Sequence, residues 1–307
     1  MFIRQQAFTG ENKHFLKGGL HCHTTRSDGK LSPEATIVLH AAHGYDFLAL
    51  TDHRFYNLKN FAPESGVMIV PGMEMDASIN NVNGMCFHAV ALGPEADKNG
   101  YKQDERLASG RVQDQSEFQP IVDEMRARNN LVFYCHPDWS RTPARSFEKL
   151  EGCFAMEIWN SGCAIECDMD TDNGLIWDEM LVRGKHINCV AVDDGHEIEH
   201  HCNGWVMVNA EKNVDSVLKA LSEGRYYSSC GPEIYDFYVE DGIAHVETSP
   251  CKRILFKYGL RPTYVKRDPD GGLITSAGTK VEGYSYVRVW AEDENGRRAW
   301  SNPIWLS

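Results

Sequence analysis

GGLHCHTTRSDG, residues 18–29, decides how the rest of the chain is read. An apolar run leads into His21 and His23 at alternate positions, and a Ser-Asp-Gly turn brings in Asp28. The same arrangement recurs along the chain. FLALTDH (47–53) ends on His53, VMIVPGMEM (67–75) closes around Glu74, and MCFHAVAL (85–92) contains His88. LVFYCHP (131–137) runs into His136, and INCVAVDDGH (187–196) ends with Asp194 and His196. A barrel of parallel strands gathers its strand ends on one face, where catalytic residues sit. The nine metal-competent groups converging there are too many for a single ion. They predict a cluster of two or three metals, and therefore a hydrolase.

Strand alternation gives the HxH pair its use, because residues i and i+2 face the same side and can grip one ion. Glu74 has two oxygens with which to bridge two ions, and Asp194 with His196 repeats the i, i+2 device. Imidazole mixed with carboxylate suits zinc, manganese or iron rather than calcium. One HxH arises readily by chance. HxH, SDG, TDH, GxE, two further strand-end histidines and DxH, in that order, form a specific pattern. His14, His40, His43, His186, His200, His201 and His245 fall outside it and are read as core or surface residues.

Residues 18–229 alternate between two signals. Strand-like runs occupy 19–23, 47–52, 67–71, 86–92, 131–135, 154–159, 187–192 and 204–209. Helices are expected after the Ser32-Pro33-Glu34 cap, from Ser116, and over 175–184 and 214–224. This α/β alternation predicts parallel strands with helical crossovers, closed as a barrel rather than an open sheet. After Tyr226-Tyr227-Ser228-Ser229 the pattern changes to short alternating strands separated by DG, DPDGG and ENG turns. The expected division is therefore a metal-binding barrel over 1–229 and a small all-β, sandwich-like domain over 230–307.

A net charge of −13 argues against a nucleic-acid footprint. No apolar run reaches the roughly 18 residues of a membrane span. MFIRQQAFTGENK lacks a signal-peptide core, so a cytoplasmic protein with a small-molecule substrate is expected. Oligomeric state stays open. The ten cysteines are scattered and read as reduced thiols; Cys163 and Cys167 stand wider apart than a CxxC pair and have no second pair.

HCHTTRSDG (21–29), LTDHR (50–54), PGMEM (71–75), FHAV (87–90), YCHPDW (134–139) and VDDGH (192–196) resemble the motifs of the polymerase and histidinol phosphatase (PHP) family of metal-dependent hydrolases. The resemblance covers about residues 18–229. It implies a distorted (β/α)7 barrel with two or three divalent ions, manganese, zinc or iron. One ion would take His21, His23, Glu74 and Asp194. A second would share Glu74 and add His88 and His136, and a third would sit with Asp28, His53 and His196. DxH spacing selects Asp194 over Asp193, and some members have histidine in place of Asp28. RYYSSCGPEI (225–234) and VRVWAEDENGRRAWSNPIWL (287–306) resemble a carbaryl-hydrolase-like branch that joins the barrel to a small β domain.

The leading functional expectation is a phosphoesterase acting on a small phosphorylated molecule, with a hydroxide bridging two ions in line with the phosphoryl group. Arg54 and Arg141 are candidate phosphate clamps, and Asp28 or His196 could move a proton to the leaving oxygen if the third ion is absent. The alternative keeps the metals and cleaves a carbamate, ester or amide, for which the aromatics Phe55, Tyr56, Trp139 and Trp159 would suit an aryl group. A third expectation is a metal-stabilised structural module without catalysis. Glu157 and Asn160, at the end of AMEIWN, are placed to contact substrate from the rim.

Overall fold

The computed structural model describes residues 2–10, 14–79, 84–168 and 170–306, and the chain adopts a mixed α/β fold with three hydrogen-bonded sheets among these residues. Phe15–Gly19 lies between Trp205–Asn209, antiparallel, and Phe47–Leu48, parallel; Phe47–Leu48 in turn pairs parallel with Met68–Ile69. A second sheet runs in spatial order Asn188–Val192, Cys153–Asn160, Leu131–Tyr134, Cys86–Leu92, Gly72–Ile79 and Gly110–Val112. Single bridges, Cys22 to Gly195 and His53 to Glu74, join the two sheets beside the ligand-bearing residues. No continuous ladder closes them into a ring among the described residues.

The expected all-parallel arrangement is therefore corrected. Cys86–Leu92 is antiparallel to both neighbours. Only residues 80–85 separate it from Gly72–Ile79. A parallel connection needs a dozen or more residues, so these two strands can only pair head to tail. VMIVPGMEM is also two strands, Met68–Ile69 and Gly72–Ile79, parted at Pro71, which has no N–H to give a ladder. The first strand ends at Gly19, so His21 and His23 lie just beyond it, on either side of the Cys22 bridge.

Two-residue alternation sorts the side chains into two cores. Phe47, Val70, Val90, Leu92, Phe133, Ala155, Val190, Val192, Val206 and Val208 meet in one buried cluster fed by successive strands. The opposite faces, including Met73, Met75, Phe87, Tyr134, Met156 and Ala191, pack against Phe118, Val122 and Met125 of helix Gln115–Ala127 and Trp177, Met180 and Leu181 of helix Gly174–Val182. Glu74 alternates with Met73 and Met75, and His88 shares the parity of Val90. The ligand candidates thus continue the inner face where apolar residues give out.

The helix caps follow local chemistry. Ser32 Oγ accepts from the backbone N–H of Ala35 at 3.2 Å, and Pro33 opens helix Pro33–Ala42. Asp114, not Ser116, caps Gln115–Ala127, and Asn213 caps Val214–Ser222. No α-helix follows Ser222, and no helix is long and apolar enough to cross a membrane, among the described residues.

Beyond residue 229 the chain builds strands only. Phe2–Arg4, Ile234–Glu240, Ile243–Cys251 and Ile274–Lys280 form an antiparallel sheet in that order. The longer sheet passes from Trp205–Asn209 through Tyr226–Ser229 to Arg298–Ser301, Tyr286–Glu292 and Arg253–Lys257. Asp178 of helix Gly174–Val182 anchors this region. It accepts from Arg288 Nε at 2.8 Å and Nη2 at 2.9 Å, and Lys257 Nζ lies 3.2 Å away. Asp178 and Arg288 are both buried.

Candidate metal centre

Four side chains from distant parts of the chain converge on one point. His23 Nε2 lies 3.2 Å from His21 Nε2, 3.0 Å from Asp194 Oδ1 and 3.3 Å from Glu74 Oε2. His21 Nε2 is 3.3 Å from Asp194 Oδ1 and 3.4 Å from Glu74 Oε2. Four ligands about 2.0–2.1 Å from a tetrahedral ion stand about 3.3–3.4 Å from one another. The donor set has that spacing. Glu74 Oε2 and Asp194 Oδ1 are moreover buried without a well-formed hydrogen bond, and a buried carboxylate oxygen left short of partners is costly. A cation at their meeting point satisfies both, so the residues fit a metal.

A second group shares Glu74, whose Oε1 lies 2.9 Å from His88 Nδ1 and 3.3 Å from His136 Nε2. In the third, Asp28 stands 3.5 Å from His196 Nε2, 3.7 Å from His53 Nε2 and 3.6 Å from His23 Nδ1. His53 also reaches back, with Nδ1 2.9 Å from Glu74 Oε2. All nine residues singled out by the sequence thus lie in one connected cluster.

The cluster's electrostatics favour positive charge. Burial opposes protonation of His53, His88 and His196, yet the carboxylates outweigh it. Glu74, Asp76 and Asp28 push His53 up to about 11, Glu74 pushes His88 up to about 10, and Asp28 with Asp194 pushes His196 up to about 9. Burial also works against ionised Glu74 and Asp194, and the surrounding imidazoles still hold both well below the usual carboxylate range. Without metal, protons gather where divalent cations would sit.

The groups behind the donors fix which nitrogen points inward. His21 Nδ1–H donates to Glu157 Oε1 at 2.7 Å, which leaves Nε2 its lone pair. His196 Nδ1–H donates to the Asp194 carbonyl at 3.0 Å, with the same result. Glu157 Oε2 accepts from the His136 backbone N–H at 2.7 Å and from Asn160 Nδ2 at 2.9 Å, and Asn160 Nδ2 also reaches Asp194 Oδ2 at 3.0 Å. Glu157 and Asn160 are fully buried, which corrects their expected place on the rim: they hydrogen-bond the candidate ligands from behind. Asp52, from the TDH motif, accepts from the backbone N–H groups of Thr24 and Ser27 and so shapes the turn bearing Asp28. Arg54, His136 and Asp194 have positive φ of 61°, 25° and 49°, strain that surrounding contacts hold at a cost of roughly 1–3 kcal/mol each.

The centre opens into a cavity of about 420 Å³ lined by Asp28, His53, Glu74, His88, His136, Trp139, Cys163, Glu166, Asp194, His196, Glu197 and His200. Trp139 stands edge-on to His136, ring centroids 4.9 Å apart, as the aromatic wall. Neither Glu166 nor His200 stands out in the sequence, because a glutamate in helix Ser161–Cys167 and a histidine ending the short 3-10 helix Ile198–His200 carry no positional signal. Arg54 faces an adjoining cavity with Arg26, Arg106 and Phe55, its Nε 3.1 Å from Asp76. Arg141 is exposed beside Asp138 and does not line the main cavity. Tyr56 is buried, and Trp159 packs against Trp300. The ten cysteines form no disulfide; Cys163 is buried beside the centre and Cys167 exposed.

No family model matches the chain, and no curated protein matches it. Among solved structures, the chain is similar to a two-domain protein of Bacteroides vulgatus containing a predicted PHP-like metal-dependent phosphoesterase. The TM-score is 0.50, with 14% identity and 95% of each chain covered. It is also similar to an amidohydrolase of Chromobacterium violaceum solved with sulfate and no metal, at TM-score 0.42 and 16% identity, over 59% of this chain and 88% of that one. The first of these likenesses shows a shared fold.

Proposed function

We propose that this chain is a metal-dependent hydrolase, and specifically a phosphoesterase acting on a small phosphorylated molecule at a centre of two or three divalent ions. One observation carries the reading: four buried donors at tetrahedral spacing, two of them carboxylate oxygens that make no well-formed hydrogen bond. His21, His23, Glu74 and Asp194 would hold one ion, Glu74 with His88 and His136 a second, and Asp28, His53 and His196 a third. Manganese, zinc or iron suits these donors. Such ions supply Lewis acidity and a water made acidic enough to act as nucleophile near neutral pH.

The chain's own groups do the rest. Glu157 and Asn160 hold His21, His136 and Asp194 in register, so the donors need no rearrangement when substrate arrives. Asp28 and His196 face the cavity 3.5 Å apart and are partly exposed, which suits proton transfer to a leaving oxygen when only the first two ions are bound. Trp139 offers the leaving group an apolar wall. Arg54 is placed to meet a second anionic group of the substrate through the adjoining cavity rather than the scissile phosphate.

One feature favours a second reading, cleavage of a carbamate, ester or amide. Among the described residues no lysine or arginine lines the main cavity, so the ions and imidazoles would meet a substrate's charge there, and a neutral carbonyl substrate also suits such a cavity. We further read the two linked sheets as the staves of a distorted (β/α)7 barrel, on the strength of the single inner core that successive strands share. We divide the chain into a metal-binding unit within 1–229 and a β-rich, sandwich-like domain over 230–307, which the strand Phe2–Arg4 joins by pairing with Ile234–Glu240; the Bacteroides protein is likewise two-domain. The deciding assay offers manganese-, zinc- and iron-loaded protein a panel of phosphate mono- and diesters alongside aryl carbamates and aryl esters. Phosphate release abolished by Asp194→Asn is expected. Turnover of carbonyl substrates alone would establish the second reading instead.

A further inference from the structure

Outside the main cavity, His40, Asp193 and His201 place ligating atoms within 4.8 Å of one another, and all three side chains are buried. We propose that they form a separate structural site for a zinc-like divalent cation. His40 lies in helix Pro33–Ala42, and its Nδ1–H donates to the Thr36 carbonyl at 2.8 Å. In the neutral ring that bond leaves Nε2 with its lone pair, aimed at Asp193 Oδ2 3.4 Å away. The 3.4 Å contact needs a positive charge between nitrogen and carboxylate, which is either a proton on Nε2 or a bound cation. A direct charge-assisted hydrogen bond would draw the atoms to about 2.7–2.9 Å, whereas two ligands of one tetrahedral ion stand about 3.3–3.4 Å apart.

His201 is the independent observation. It is 5% exposed, and neither Nδ1 nor Nε2 has a hydrogen-bond partner. Its ring lies edge-on to His40, with centroids 5.4 Å apart. It also packs so closely on Gly195 that a Cβ there would come within 2.3 Å of Nδ1. Asp193 is held in place by the backbone N–H groups of Cys202 (2.7 Å), Asn203 (2.8 Å) and Gly204 (2.8 Å), each of which uses only part of its oxygens' accepting capacity. Two imidazoles and one carboxylate make a zinc-type donor set, with the fourth position open to water. An ion there would tie helix Pro33–Ala42 and the 200–204 turn to the residue next to Asp194, bracing the loop that carries Asp194 and His196.

The test uses the intact chain. Crystals equilibrated with zinc should give an anomalous-scattering peak between His40 Nε2, Asp193 Oδ2 and His201; excess zinc with no peak there overturns the proposal. The variant Glu74→Gln/Asp194→Asn/His53→Gln, which takes a ligand from each of the three ions proposed for the main centre, should retain about one zinc per chain after dialysis. Adding either His201→Gln or His40→Gln should remove that ion. Zinc retained undiminished in both of these extended variants, each folded by circular dichroism, also overturns it. Both readouts are independent of turnover, so the site can fail while the hydrolase reading stands, and the reverse.

Discussion

Replacing Glu157 by glutamine removes one charge and almost no volume from a fully buried position, and it should cost the protein its grip on metal. Glu157 accepts three hydrogen bonds, from His21 Nδ1 (2.7 Å), the His136 backbone N–H (2.7 Å) and Asn160 Nδ2 (2.9 Å). An amide has one oxygen and one NH2. With its oxygen turned to His136 and Asn160, its NH2 meets His21 Nδ1, and that nitrogen must then accept. The imidazole proton moves to Nε2, the atom that faces Glu74 and Asp194, and His21 ceases to be a ligand. With the amide flipped, two donors face its NH2 instead, and the His136 loop loses its anchor. Loss of such an orienting partner lowers metal affinity about 10–100-fold, equivalent to about 1.4–2.7 kcal/mol. Competition with a chromophoric chelator measures this directly, with His21→Ala as the reference for complete loss of that ligand. Calorimetry with and without chelator should show that most of the lost stability belongs to the metal-loaded protein. Wild-type metal affinity in Glu157→Gln, alongside a clear loss in His21→Ala, would refute the tautomer argument.

Three further outcomes are expected. In the metal-free protein His53, His88 and His196 bind protons more tightly folded than unfolded, where the value is near 6.5, so their stabilisation is complete below that value and lost as pH rises through about 9 to 11. The chelated protein should therefore lose melting temperature across that alkaline window while the loaded protein, with neutral imidazole ligands, does not; parallel curves would contradict the cluster's electrostatics. Asp178→Ala strands buried Arg288 and should destabilise the fold by about 3–5 kcal/mol in denaturant unfolding, with Asp178→Leu/Arg288→Met recovering much of it; a single-variant loss under about 1 kcal/mol would count against the anchor. Gly162→Ala puts a Cβ 2.5 Å from the Asp194 carbonyl oxygen and 2.9 Å from that of Asp193, backbone that cannot swing away. Metal content should fall by about one ion per chain, and full occupancy in a folded variant would show that the loop yields more than its packing implies.

The candidate ligands were legible because chelation demands a few residue types, and apolar strands make an intruding histidine or carboxylate conspicuous. Glu74 inside an otherwise apolar run could hardly be a surface residue. Glu157 was misplaced because a strand-end carboxylate reads the same on a rim as in an interior, and its partner His21 is 136 positions away. Strand direction was legible and went unread: residues 80–85 are too few for a crossover. His201 escaped notice because what sets it apart is the absence of hydrogen-bond partners, which no local pattern encodes. Asp193 and Asp194 show the limit from the other side. Spacing separated them, but only coordinates reveal that Asp193 fastens the 202–204 backbone while its neighbour turns toward the cluster.

The strand Phe2–Arg4 hydrogen-bonds to Tyr238–Glu240, so almost the entire chain lies between two partners in one sheet. At a synthesis rate of about 5–20 residues per second, the leading strand waits on the order of ten seconds or more before its mate leaves the ribosome. Until then Phe2, Ile3 and Arg4 are an unsatisfied edge beside a half-built protein. Pairing of Phe2–Arg4 is thus a late event that closes a loop running from residue 4 to residue 238, and a nascent chain halted before residue 234 should remain open to proteases at Phe2–Arg4.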